Sequence, residues 1–210
     1  MTGYHHFFES IKHIVIQQKK EWTEIILGLE SRNKYEVLTP DGDLLGHVAE
    51  IGEGAWHFVK RLLFRTHRAM DIRVWDGEHQ PVLIMKRPFF WFFSDIFVTD
   101  SRGESLGMVS KRFGIFFKKY DLKGRDGEVY ATISAGIWKL WTFPILDAEG
   151  REVGVISKKW GGLLKEIFSD ADCFHIQMPH WTAEQKAVLF SAAMTIDLDY
   201  FEDNQGRRSF

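Results

Sequence analysis

The chain has 210 residues, enough for one well-filled core, and its 27 basic and 29 acidic side chains give a net charge of −2. This balance excludes a general attraction to nucleic acid, so any attraction to an anionic surface must come from a local patch. The single cysteine, Cys173, excludes a disulfide within the chain and fits a reducing compartment. We therefore expect a cytoplasmic protein with one folded domain.

Residues 1–11 mix polar with aromatic side chains and predict a short tail before the domain. They contain no apolar run long enough for a signal peptide. The longest late stretch without charge, 187–196, has about half of the roughly 20 residues that span a bilayer. We therefore predict neither secretion nor a transmembrane helix.

A repeated unit follows: a glycine, then an apolar residue at +3, a small residue at +4 and an apolar residue at +6. A β-rich run precedes each glycine, and an aspartate introduces each turn. This order is typical of a β-hairpin, because aspartate caps a turn and glycine supplies a positive φ. The copies begin at Gly42, Gly103, Gly127 and Gly150, with a looser one at Gly77.

The repeats predict a meander of about ten or more antiparallel strands. Such a sheet must curl and close, because closure removes the exposed edges on which long sheets aggregate. The small residues at +4 predict bends or close approaches of another backbone: Gly46, Gly107, Ala131 and Gly154. No glycine-rich loop opens a helix, so we predict turns and no phosphate cradle.

Two segments between the hairpins are typical of membrane-surface contact. Segment 56–68 carries four fixed positive charges and five large apolar side chains without an acid, and 89–93 is a run of five aromatics. The alternative is that both are edge strands and loops, with basic side chains extended over packed aromatics. The candidate contact residues are Trp56, Phe58, Lys60, Arg61, Phe64, Arg65, Arg68, Phe90, Trp91 and Phe92.

A later hairpin carries a run of basic residues that could form a second basic face or simply a solvated one. These residues are Lys111, Arg112, Lys118, Lys119, Lys123 and Arg125. Further on, Cys173, His175 and His180 lack a fourth ligand and a zinc spacing, so we predict no metal there. No nucleophile elbow, Walker loop or His-Glu-x-x-His sequence indicates an enzyme.

The end of the chain predicts a helix over 183–198. Thr182 and Gln185 match a capping box, and the following residues are apolar on nearly every face. Such a helix lies inside protein or inside lipid, and this one is too short for a spanning segment. We therefore predict a mainly β fold, a closed antiparallel barrel around this helix, with a membrane-inserted hairpin as the alternative. Residues 204–210 are a predicted tail.

Several segments resemble the phospholipid scramblase family. They are Gln17-Gln18-Lys19, 30–36, Arg87-Pro88, 155–166, 168–172, 174–179, 186–188, 196–197 and 200–202. The resemblance spans roughly residues 12–202 and implies the fold shared with LURP-one-like and tubby C-terminal domains, a twelve-stranded barrel around a central hydrophobic helix. It places the domain at 12–203.

The departures from the family bear on function. The palmitoylated cysteine clusters of animal scramblases have no counterpart here. The family's proposed calcium loop would place Asp170 and Asp172 at its first and third positions, but Phe174, His175 and Trp181 occupy the positions of three expected ligand or turn residues. We favour an aspartate-capped turn over a calcium site and expect no other cofactor.

Three functions remain open. The first is a non-catalytic module that binds anionic phospholipid or a membrane surface, as a peripheral protein at the inner face of the membrane. The second is calcium-stimulated transbilayer scrambling of phospholipid, which the resemblance implies. The third is a structural or protein-interaction barrel without a role in lipid binding. No nucleic acid partner is expected.

Overall fold

The computed structural model describes residues 3–19, 31–51, 69–88, 94–112, 117–136, 141–158 and 173–198. These residues form two helices and twelve strands. In chain order they are α1 (Gly3–Phe8), β1 (His13–Gln18), β2 (Ser31–Leu38), β3 (Leu44–Ile51), β4 (Met70–Asp76), β5 (Pro81–Arg87), β6 (Ser94–Asp100), β7 (Ser105–Arg112), β8 (Phe117–Lys123), β9 (Val129–Gly136), β10 (Thr142–Asp147), β11 (Glu152–Ser157), β12 (Cys173–Gln177) and α2 (Ala183–Asp197).

The strands form one closed antiparallel barrel. Each strand from β2 to β11 pairs with its neighbours in the sequence, and β1 pairs with both β2 and β12. At the closing seam Ile14 lies opposite Ile176 and Ile16 lies opposite Phe174. The prediction of a mainly β, closed barrel is confirmed, and its number of strands is twelve.

Five tight turns share one geometry. In each, the fourth residue has a positive φ and donates its backbone N–H to the carbonyl three residues earlier. Asp76, Asp100 and Asp147 open three of the turns, and each Oδ1 accepts two backbone N–H groups. Glycine fills the positive-φ position in four turns, which confirms the hairpin prediction. In the looser copy that position belongs to His79 (φ 62°) and not to Gly77.

The small residues of the repeat lie where a neighbouring strand comes close. A Cβ on Gly46 would collide with the carbonyl oxygen of Trp75, and one on Gly107 would collide with that of Lys123. The paired register also shifts beside each hairpin turn, as at the step from Leu122 to Lys123. The predicted bends and close approaches are confirmed at these positions.

Helix α2 fills the barrel. It begins with the predicted capping box, in which the Thr182 hydroxyl accepts from the backbone N–H of Gln185 and the Gln185 side chain accepts from that of Thr182. Thirteen of its residues are buried, and the stretch from Ala187 to Ala193 is buried on every face. Its side chains share one core with the inward side chains of the strands. The predicted central helix is confirmed.

The N-terminal segment differs from its prediction. A tail is expected over 1–11, whereas the structure describes the six-residue helix α1, with Tyr4, Phe7 and Phe8 buried. The ring of Phe8 packs edge-on against Phe190 of α2, with the centroids 5.6 Å apart. Helix α1 therefore packs against the central helix as part of the core.

The two ends of the barrel differ. All five tight turns, of four or five residues, lie at one end, which we call the turn end. Because the strands alternate in direction, β1, β3, β5, β7, β9 and β11 all finish at the opposite end, which we call the connection end. The chain between strands at the connection end ranges from 4 residues (113–116) to 18 residues (52–69).

Candidate membrane-facing surface

The predicted contact residues lie outside the described residues, namely Trp56 to Arg68 and Phe90 to Phe92, as do the weak calcium candidates Asp170 and Asp172. The strands that flank the two contact segments are described, however. Segment 52–68 joins β3 to β4, and segment 89–93 joins β5 to β6. Both segments therefore begin and end at the connection end.

The flanking strand ends are also neighbours. Met70, the first residue of β4, lies directly opposite Arg87, the last residue of β5. Paired strands are about 4.8 Å apart. The chain that leads out of segment 52–68 and the chain that leads into segment 89–93 therefore pass the barrel rim side by side.

The outer face near these strands carries an apolar and cationic row across the sheet. Phe97 of β6 is 47% exposed, while Ile96 and Val98 on either side of it point into the core. Lys86 lies beside it on β5, and Met108 lies beside it on β7. The row continues away from the connection end to Lys123 and Val129, which flank the tight turn 124–128, and Val129 is 37% exposed. We call these five residues the outer row.

Sequence reasoning did not single out Phe97. The signal was available, because Phe97 alternates with two apolar residues in a strand and shares its face with Asp95 and Thr99. A large aromatic residue on the otherwise polar side of a strand indicates a contact surface only where other apolar residues adjoin it, as Met108 does here.

The basic run around β8, for which a basic face and a solvated run were the alternatives, is partly neutralised by acids. The Arg112 guanidinium forms an ion pair with Asp121, which is 1% exposed. Arg125 donates to Glu184 of α2 at 2.6 Å. Of the remaining cations of this hairpin, Lys119 is exposed and Lys123 is half-buried. The described hairpin is thus a mixed surface of cations and acids.

The barrel interior becomes polar toward the connection end. Glu50 shares the inward side of β3 with Val48 and is 3% exposed, and its carboxylate accepts from the Asn33 side chain at 2.8 Å. Arg87 shares the inward side of β5 with Met85 and is also buried. Buried charges require polar partners, so polar interactions help to hold this end, whereas apolar packing dominates around α2.

Among the described ranges, no group of three or more histidine, cysteine, aspartate or glutamate side chains could hold a metal ion. No helix in those ranges is both long and apolar enough to cross a bilayer.

A sequence profile described as Scramblase matches residues 4–203. The chain belongs to the scramblase family. A phospholipid scramblase family protein of Schizosaccharomyces pombe is 26% identical to this scramblase-family chain, over 92% of the chain and 60% of the relative. Phospholipid scramblase 1 of Homo sapiens is 28% identical, over 93% of the chain and 65% of the relative. The Saccharomyces cerevisiae relative, altered inheritance rate of mitochondria protein 25, is 22% identical, over 90% of the chain and 70% of the relative.

The chain thus spans 60% of the Schizosaccharomyces pombe relative and 65% of the human one. No solved structure matches it significantly. Scramblase-family membership confirms the resemblance seen in the sequence. Members of the family move lipids and do not catalyse a chemical reaction. The family is also associated with phospholipid membranes.

Proposed function

We propose that this scramblase-family protein is a non-catalytic module that binds anionic phospholipid at a membrane surface through its connection end. One observation carries the proposal. The basic, aromatic segment 56–68 and the aromatic segment 89–93 are joined to β4 and β5 where Met70 and Arg87 lie opposite each other. The two segments whose side chains suit a membrane interface are therefore attached next to each other at the barrel rim.

The contributions of single side chains to membrane binding add up. Each basic side chain close to an anionic leaflet contributes about 1 kcal/mol, and aromatic side chains enter the headgroup region. Lys60, Arg61, Arg65 and Arg68 supply four such charges although the net charge of the chain is −2. The outer row adds the exposed ring of Phe97 beside Lys86. The attraction is electrostatic, so added salt should weaken it.

The same chemistry gives a location. The cytoplasmic leaflet is the anionic one, and it attracts clusters of basic residues. We therefore place the protein in the cytoplasm, as a peripheral protein at the inner face of the membrane.

Sedimentation with vesicles tests the proposal. Vesicles of phosphatidylcholine with phosphatidylserine should bind the protein at low salt, and vesicles of phosphatidylcholine alone should bind it far less. The double variant Arg61→Gln/Arg65→Gln should lose about 2 kcal/mol, roughly 30-fold in binding. The control Lys12→Gln/Arg102→Gln removes the same charge from exposed residues at the turn end and should bind like wild type. Equal loss in both variants would leave only a general charge effect and contradict the proposal.

Transbilayer scrambling of phospholipid is the second candidate, favoured by family membership and by relatives that carry the name phospholipid scramblase. Reconstituted vesicles with a fluorescent lipid and an impermeant reductant measure it directly. A calcium-stimulated form would draw on Asp170 and Asp172, so Asp170→Ala should abolish the stimulation by calcium. Equal rates with and without the protein would exclude scrambling, and a lack of vesicle binding as well would favour a protein-interaction barrel.

A further inference from the structure

Two histidines face each other across the seam that closes the barrel. Val15 lies opposite His175 and His13 lies opposite Gln177, so His13 and His175 are diagonal neighbours on β1 and β12. Ile14 and Ile176 belong to the core, so the two histidines point outward. Their rings are stacked, with an interplanar angle of 1° and centroids 5.2 Å apart.

The two nearest ring nitrogens have the spacing of paired metal ligands. Nδ1 of His13 and Nε2 of His175 are 3.1 Å apart. A metal ion bound to both nitrogens at the usual 2.0–2.1 Å would subtend an N–metal–N angle of roughly 100°. This value lies between the angles of square and tetrahedral coordination. The spacing therefore suits one ion bound to both rings, although it also suits an N–H···N hydrogen bond.

We propose that His13 and His175 form a two-histidine site for a borderline divalent transition metal ion such as Zn²⁺, Ni²⁺ or Cu²⁺. Among the described residues these two rings supply the ligands, since no cluster of three or more metal-binding side chains occurs there. The site joins β1 to β12 between residues 162 positions apart in the sequence, so the bound ion fastens the barrel seam.

Counting bound metal tests the site. Ni²⁺, measured by displacement of an indicator, should bind wild type with one equivalent more than His13→Ala, in which an exposed residue is changed. His175→Gln should also lose that equivalent, because glutamine preserves hydrogen bonding but is a poor ligand for these ions. The matched control is His79→Asn. It removes a ring from the other histidine pair, His47 and His79, and asparagine tolerates the positive φ of that position.

Thermal unfolding gives a second readout. At a Ni²⁺ concentration about 100 times the Kd, the Tm of wild type and of His79→Asn should rise by about 5–10 °C over the value in EDTA. The Tm of His13→Ala should not rise. Equal stoichiometry and equal Tm shifts in wild type and His13→Ala would overturn the proposal and leave a hydrogen-bonded pair. Loss of the equivalent in His79→Asn would also overturn it, because the metal would then be bound elsewhere.

Discussion

The two ends of the barrel are built on opposite principles. At the turn end, five hairpins repeat one geometry, in which a single position has a positive φ. Helix α1 and the start of α2 contact each other nearby, where Tyr4 donates to Glu184 at 3.2 Å. At the connection end, the segments that join the strands vary in length from 4 to 18 residues.

This difference separates stability from function. Repetition at the turn end leaves little freedom of sequence, because each turn and each close approach requires a particular residue. Segments that join the ends of rigid strands can change without disturbing the core, which is why binding residues concentrate on such segments. Substitutions at the turn end should therefore change the free energy of unfolding, and those at the connection end should change membrane binding.

The largest effect is expected for Gly107→Ala. A Cβ there would collide with the Lys123 carbonyl and press on Val188, and the φ of 142° disfavours any side chain. We expect a loss of about 3 kcal/mol or more, measured by urea unfolding. The control Gly150→Ala meets open space at a φ of 79° and should cost about 1–2 kcal/mol. Similar losses in both would show that the close approach itself is unimportant.

The next effect concerns Lys186. Its buried ammonium group donates to the carbonyls of Phe8, Glu9 and Ile11 at 3.2, 3.0 and 2.8 Å. Lys186→Met removes all three donors, and we expect a loss of about 2–3 kcal/mol in chemical denaturation.

The matched change at the connection end is Lys119→Met, at an exposed residue of β8. It should alter the free energy of unfolding by less than about 0.5 kcal/mol. If Lys186→Met and Lys119→Met lower the free energy of unfolding equally, the turn end contributes no more to stability than the connection end does.

Acidification should weaken the seam that runs between the two ends. The pKa of His175 is about 4 in the folded protein, against an ordinary value of 6.5. Between pH 4 and pH 6.5 the unfolded chain therefore binds more protons than the folded protein. The stability contributed by the neutral His175 ring is complete above about pH 6.5 and is lost as the pH falls toward 4. We expect the free energy of unfolding to fall by about 1–2 kcal/mol over this pH range, allowing for solvent screening. Urea midpoints in EDTA should show this slope, and His175→Gln should flatten it.

The smallest expected effect is an increase in the free energy of unfolding. His79 holds the positive-φ position that glycine holds in the other four turns. His79→Gly should stabilise the protein by about 0.5–1 kcal/mol, because relief of the left-handed strain outweighs the added entropy of the unfolded chain. His79→Ala keeps the strain and should give no gain. Differential unfolding curves of the three proteins decide the point, and equal stability of the glycine and alanine variants would contradict it.

Most of the fold was predictable because its signals are local. A glycine at a fixed distance after each β-rich run indicates a hairpin, and a capping box before an all-apolar stretch indicates a buried helix. Helix α1 gave no such signal. Its six residues are too few to show a period, and its position depends on contacts such as the one between Phe8 and Phe190, far apart in the chain.

The candidate site was predictable only in part. A run of basic residues does not reveal which acids face it, so the pairs of Arg112 with Asp121 and of Arg125 with Glu184 required the register of the strands. The contact residues in 56–68 and 90–92 lie outside the described residues and stay predictions. The hairpin predicted at Gly77 already makes their flanking strands neighbours, and the structure adds the register that sets Met70 opposite Arg87.

Pairing of the first strand with the twelfth also constrains how the protein is made. During translation, β1 leaves the ribosome long before β12, and α2 follows later still. The apolar inward faces of the strands cannot pack against α2 until almost every described element has been synthesised. A nascent barrel of this kind exposes apolar surface for most of its synthesis, so the unfinished chain is prone to aggregate until the helix has been made.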